Sequence, residues 1–316
     1  MKSKNSYTID WGSTLFLTLT PVLAILGLWA FFESEVFHPL MLALAIFFYY
    51  ATGFSITAGY HRLFAHKSYE AHPVIKVMLI LFGAGAFQNS VKKWATDHRI
   101  HHRYVDEDKD PYCIKKGFWY AHFTWMCVKS EVRNTALSDS YGRDFEKDPW
   151  IVWQDKYYGP IAVLMGFGLP ALVGGLMGSW FGGLVFGGLV RVVVVHHFTF
   201  SINSLAHYWG SQPFTDENTA RDNPILAFFT YGEGFHNFHH IFHSDYRNGI
   251  RWYDWDPTKW FIKSLTYLKM ARNLKVTPDY EIFKARMDMA EKRFTRAQSD
   301  ETYMEQIRQG FRSKAD

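Results

Sequence analysis

The sequence predicts an all-α integral membrane protein: four transmembrane helices carry a cytoplasmic helical cap, and a histidine-rich metal site lies where the two meet. Three observations lead there. Four stretches lack charge over bilayer-spanning lengths, nearly all Lys and Arg fall in two blocks outside them, and eight of fifteen histidines crowd into three short words. The words are HRLFAH (61–66), HRIHH (98–102) and HNFHH (236–240), only 16 of 316 residues. A fourth fragment, NSLAH (203–207), places His207 four residues after Asn203. Imidazole is the commonest protein ligand for transition metals. Eight to ten such ligands exceed what one ion holds, so two ions are expected.

The elements follow in chain order. After a polar lead (1–12), Thr14–Phe32 has 19 residues without charge, and Val36–Tyr60 has 25 with only His38 as a candidate charge. Tyr157–Val190 is 34 residues free of Asp, Glu, Lys and Arg, and 24 more uncharged residues follow Arg191. About 20 apolar residues cross a hydrocarbon core of roughly 30 Å. Spans are therefore expected at 14–32, 37–60, 158–178 and 180–206, within a single domain over 1–316. Val77–Val91, at 15 residues, is too short to cross and reads as an interfacial or buried helix. The third and fourth spans are Gly-rich, which lets membrane helices approach closely. Residues 279–313 read as a polar helix.

Charge sets the orientation. Blocks 61–156 and 208–316 hold 15 and 16 of the 34 basic residues, whereas the short connections after spans one and three hold none. Basic segments stay cytoplasmic, so both blocks and both termini are expected on that side. From Trp180 to His207 is 28 residues, roughly 42 Å of helix, so span four must protrude and carry Asn203 and His207 out of the core. Span two likewise delivers His61 just past the interface.

Composition excludes several classes. Cys113 and Cys127 form no CxxC pair, so an iron–sulfur or rubredoxin-type centre is excluded, and a cytoplasmic disulfide is disfavoured. A net charge of +4 is too mild to argue for nucleic acid. Without an HPGG haem motif or a flavin fingerprint, a separate electron donor of ferredoxin, rubredoxin or cytochrome b5 type is expected, and with it a bacterial inner membrane.

At about 100° per residue, His98, His101 and His102 share a helix face, as do His236, His239 and His240, and Asn203 and His207. His61 and His66 are five apart, roughly 140° around an α-helix, so they should serve different ions or straddle a break. Zinc needs only three or four ligands, and magnesium and calcium prefer oxygen. A nitrogen-rich two-ion site suits oxygen-activating iron better, although no ExxH pair of the soluble di-iron bundles is present.

HRLFAH, WATDHRIHHR, NSLAHYWG and GEGFHNFHH, in this order and with these spans between, resemble the membrane-bound acyl-CoA desaturases of the stearoyl-CoA delta-9 type. The likeness covers roughly 40–270 and extends to QNS (88–90), DKDPY (108–112) and DPWIVWQDKYY (148–158). It implies two non-haem irons that use O2 and two electrons to desaturate a long acyl-CoA. One iron would take His61, His102, His207, His236 and His240; the other would take His66, His98, His101 and His239, with Asn203 nearby through water. Gln88, Asn89, Trp94 and Phe200 match positions near the acyl tunnel. Two departures stand out: Thr96 in WATDHR replaces a cation, and Ser130 follows Lys129 where a basic pair is usual. Both remove charge expected to face CoA phosphates.

Lys92, Lys93, Arg99, Arg103, Lys115 and Lys116 remain candidates for that head group. Asp97, Asp110, Glu233 and Asp245 are candidates to orient imidazoles. His122, His196, His197 and His243 read as structural rather than ligating, His38 and His72 as interfacial. Arg191 is expected to snorkel, to pair with an acid or to bond backbone. Two other functions share the histidine pattern: a di-iron hydroxylase of alkane or sterol type, and a membrane metal carrier.

Overall fold

A computed structural model describes residues 8–129 and 136–312; Ser130 lies outside them. It is mostly helical, and four helices are long and apolar enough to cross a membrane: Trp11–Ser34, Pro39–Ala65, Tyr158–Leu176 and Trp180–His207. Each predicted span matches one of them to within five residues at either end. Asp10 starts the first by accepting the Ser13 N–H (3.1 Å), and His38, followed by Pro39, starts the second by accepting that of Leu40 (3.2 Å). His72 caps Pro73–Ala84 in the same way, so both interfacial histidines are helix starters.

Spans three and four meet backbone to backbone. A Cβ on Gly174 would lie 2.4 Å from Gly183 Cα, so only glycine permits the approach. Arg191 is buried where they meet. Its guanidinium donates to the carbonyls of Gly187 (3.0 Å), Gly85 (2.7 Å) and Gly166 (2.8 Å), which joins span four to span three and to the turn after Pro73–Ala84. Of the three roles expected for Arg191, backbone bonding is the one realised.

Span two changes character along its length. Pro39–Phe54 is α-helical, but Ser55–Ala65 is a π-helix, and His66 N–H closes it on His61 O (3.0 Å). The apolar stretch expected at Val77–Val91 divides: Pro73–Ala84 is helical, Phe87 and Asn89 take left-handed conformations, and Val91–Tyr104 begins a new helix capped by Ser90. Two short antiparallel pairs, Thr8–Ile9 with Val128–Lys129 and Glu70–Ala71 with Ala271–Arg272, tie the cap to itself and to the start of span one. The polar helix runs Asp279–Arg312.

Arg191→Met should lower the unfolding temperature in detergent by several degrees. It strands buried carbonyls at about 1–3 kcal/mol each, and an unchanged melting profile would show that Arg191 holds nothing together.

Candidate metal centre

The three words and His207 converge where spans two and four emerge into the cap. Nine imidazoles form two groups, His61, His66, His98, His102 and His239 in one and His101, His207, His236 and His240 in the other. One ligand nitrogen from each lies within 4.8 Å of the others in its group.

This division differs from the one the resemblance implied. His61 and His102 join the first group, and His101 joins the second. The reason is local geometry. In each HxxHH word the residues four apart share one centre while the middle histidine turns to the other: His98 and His102 against His101, His236 and His240 against His239. His61 and His66 stay together because the π-helix brings residues five apart onto one face, which α-helical spacing does not.

Hydrogen bonds behind the rings decide their tautomers. Glu233 accepts from His61 Nδ1 (2.9 Å) and Asp110 from His101 Nδ1 (2.9 Å). Thr219 Oγ1 lies 2.8 Å from His207 Nδ1. A carboxylate only accepts, so Nδ1 of His61 and of His101 carries the proton, and each Nε2 turns a lone pair inward. There the Nε2 atoms crowd. His239 Nε2 lies 2.9 Å from those of both His61 and His102, and His236 Nε2 lies 3.1 Å from those of both His207 and His240. One N–H cannot serve two such neighbours. Nitrogens ligating one ion at about 2.0–2.1 Å stand about 2.9–3.4 Å apart, so the residues fit a cation in each group.

Electrostatics agree. Burial, reinforced by neighbouring imidazoles, holds His66, His98, His102, His239 and His240 well below the usual imidazole value and His236 at about 3, so they stay neutral and able to bind metal. Burial alone would raise the Glu233 carboxyl, but His61 and Arg62 outweigh it and hold it at about 2. Arg62 itself bridges Glu233 (2.9 Å) and Asp256 (3.0 Å), both buried.

An apolar cavity of about 290 Å³ opens onto both groups. Its walls include His61 and His98 from one and His101 and His236 from the other. All four expected contact residues, Gln88, Asn89, Trp94 and Phe200, line it, as does Asn203. Trp94 stacks on His98 (centroids 5.0 Å apart, planes 24° apart) and donates to Gln88 (3.3 Å), which donates to Thr199 (3.0 Å). The cavity wall and the metal group are thus braced together.

Other expectations divide. Glu233 and Asp110 orient imidazoles, and Asp97 lines the cavity, but Asp245 instead holds Arg247 and the Thr277 N–H. His196 bonds the Ala86 carbonyl (2.8 Å), the structural role expected. Thr96 is buried and faces no head group, because its helix turns it inward. Arg99 is committed to Asp144 and to the Phe64 and Ala65 carbonyls, and Lys92 to Glu146, whereas Lys93, Arg103, Lys115 and Lys116 are exposed. Sequence reasoning missed Thr219, which no spacing rule connects to a histidine word, and a second histidine pair, His122 with His197 (3.2 Å).

The fatty acid desaturase family matches this chain over residues 36–273. The chain belongs to the fatty acid desaturase family. It is 44% identical over 285 residues to a probable acyl-CoA desaturase of Schizosaccharomyces pombe, covering 90% of this chain and 58% of the relative. Against acyl-CoA desaturase 1 of Saccharomyces cerevisiae it is 42% identical over 253 residues, 80% of this chain and 49% of the relative. Stearoyl-CoA desaturase 5 of Bos taurus is 32% identical over 276 residues, 84% of this chain and 80% of that protein. The chain therefore spans about half the length of the two yeast relatives. None of these three desaturases is bacterial, and a bacterial origin gains no support from them.

The metal-free protein should lose stability as pH falls below about 6.5. The folded rings refuse protons that the unfolded chain takes up, so stability is full above that value and declines beneath it. Unfolding by intrinsic fluorescence at pH 8, 6.5 and 5.5 tests this, and a flat profile would contradict it.

Proposed function

We propose that the protein is an O2-dependent desaturase of long saturated acyl-CoA, a single domain over 1–316 that forms a cis double bond near mid-chain, at delta-9 by family likeness. The observation that carries it is the apolar cavity walled by rings from both imidazole groups. A chain lying in that cavity brings one stretch of methylenes alongside both metal positions. When bound, two non-haem irons would supply the oxidising chemistry, with O2 and two electrons from a separate ferredoxin-, rubredoxin- or cytochrome b5-type donor.

The chain's own residues do the rest. His61, His66, His98, His102 and His239 hold one ion, and His101, His207, His236 and His240 the other, with Asn203 at the cavity wall beside them. Phe16, Phe87 and Phe200 give the cavity apolar walls that exclude water and grip a hydrocarbon. The Trp94–Gln88–Thr199 hydrogen bonds keep the wall in register with His98. Of the six candidate cations, Lys93, Arg103, Lys115 and Lys116 stay exposed to meet head-group phosphates, each charge-assisted contact being worth roughly 1.5–3 kcal/mol.

The same reading places the protein as a multi-pass membrane protein with its termini and metal ligands on the cytoplasmic side. Pairing of Thr8–Ile9 with Val128–Lys129 supports a shared side for the start of span one and the cap. Reporter fusions at Asp155 and at the C-terminus should be cytoplasmic-active, and an external C-terminal reporter would overturn the placement.

Stearoyl-CoA supplied with a competent donor should yield oleoyl product. A hydroxylated product would mark the hydroxylase chemistry of the same histidine pattern, and exchangeable metal without turnover would mark a carrier. Reaction only of phospholipid- or carrier-bound chains would defeat the CoA assignment. His207→Ala should lose iron, while Asn203→Ala should keep most iron and lose turnover; equal iron loss would make Asn203 an essential ligand.

A further inference from the structure

Behind His207 lies a hydrogen-bonded path that ends on a distant turn. Asp106, two residues past the Val91–Tyr104 helix, accepts the Thr219 backbone N–H at Oδ2 (2.7 Å) and the Thr219 hydroxyl at Oδ1 (2.7 Å). Thr219 Oγ1 also lies 2.8 Å from His207 Nδ1. A hydroxyl has one proton. Once that proton points at the Asp106 carboxylate, Thr219 can only accept, so His207 Nδ1 must donate. His207 Nε2 is then left as a lone pair facing His236 Nε2, 3.1 Å away.

The turn is built for this. Asp106 has φ +66°, a left-handed conformation that Asp tolerates better than most residues. Its own N–H donates to Asp110 Oδ2 (3.2 Å), while Asp110 Oδ1 accepts from His101 Nδ1 (2.9 Å) and from the Tyr112 N–H (3.1 Å). One turn therefore reaches two of the four imidazoles in a single group, His101 directly and His207 through Thr219. The five-histidine group draws on a different acid, Glu233, through His61.

We propose that Asp106 and Thr219 are positioning residues that set the His207 tautomer, so that the 106–112 turn governs the affinity of the four-histidine site separately from its neighbour. The inference rests on the two-ion reading above. Thr219→Val keeps the shape and the backbone bond to Asp106 but removes the hydroxyl; Thr219→Ser restores it.

Two measurements separate this inference from the reading it rests on. Imidazole 15N shifts of the metal-free protein should show His207 protonated at Nδ1 in the wild type and in Thr219→Ser, and that preference should be lost in Thr219→Val. Iron titration against a competing chelator should give two ions per wild-type chain. In Thr219→Val one ion should bind about 10–100-fold more weakly while the other is unchanged, with folding checked by thermal unfolding. A wild type that holds one ion or none would sink the two-ion reading. The relay is overturned if Thr219→Val retains the wild-type tautomer, or if it binds both ions with wild-type affinity.

Discussion

Unshared lone pairs set the terms for this fold. Nine imidazoles are held with their ring nitrogens turned toward two small volumes, and in several places those nitrogens stand near 3 Å apart. Without a cation such an arrangement is repulsive, and burial opposes relief by protonation at His66, His98, His102, His236, His239 and His240. Something must hold the rings in place, and the acids behind them do. Glu233, held by Arg62 and Asn248, and Asp110, held by its own turn, face the outer nitrogens of His61 and His101. The cost of burying these carboxylates is offset because each meets a cation or several N–H donors.

The spans supply the precision. A lipid-facing helix has little to fix its rotation, so the position of His61 depends on what anchors span two. The π-helical stretch Ser55–Ala65 is packed against the cap, and its residues from Ser55 to Arg62 are buried. Buried ion pairs at Arg62 then pin that stretch to the HNFHH segment and to Asp256. The cavity follows from this placement, since it is the space left between span one, the emerging ends of spans two and four, and the helix that carries HRIHH.

Much of this was legible in the chain. The spans could be drawn to within a few residues because charge-free length is a direct statement about bilayer thickness. All nine clustered imidazoles, and Gln88, Asn89, Trp94 and Phe200 of the cavity lining, were named from spacing and likeness. What spacing could not deliver was the sorting of rings between two centres. His101 and His102 are neighbours, and which centre each faces depends on helices packed from elsewhere in the sequence. His61 and His66 were ambiguous because the reading assumed 3.6 residues per turn, whereas the backbone there closes five-residue rings. Thr96 and Arg99 illustrate the same limit. A polar or basic letter in or beside a histidine word suggests a surface, yet one is buried and the other is spent on three carbonyls and an acid.

Arg191 carries a consequence for how the molecule is made. Its three carbonyl acceptors come from its own helix, from span three and from the turn after Pro73–Ala84. A lone guanidinium in hydrocarbon is costly, and only the first of those acceptors travels with it during insertion. Span four is therefore a poor resident of lipid until the earlier segments have arrived to meet it. The order of synthesis suits that need, since Gly85 and Gly166 both leave the ribosome before Arg191. Biogenesis is thereby biased toward a single assembly route, in which the last span enters a partly built bundle rather than the open bilayer.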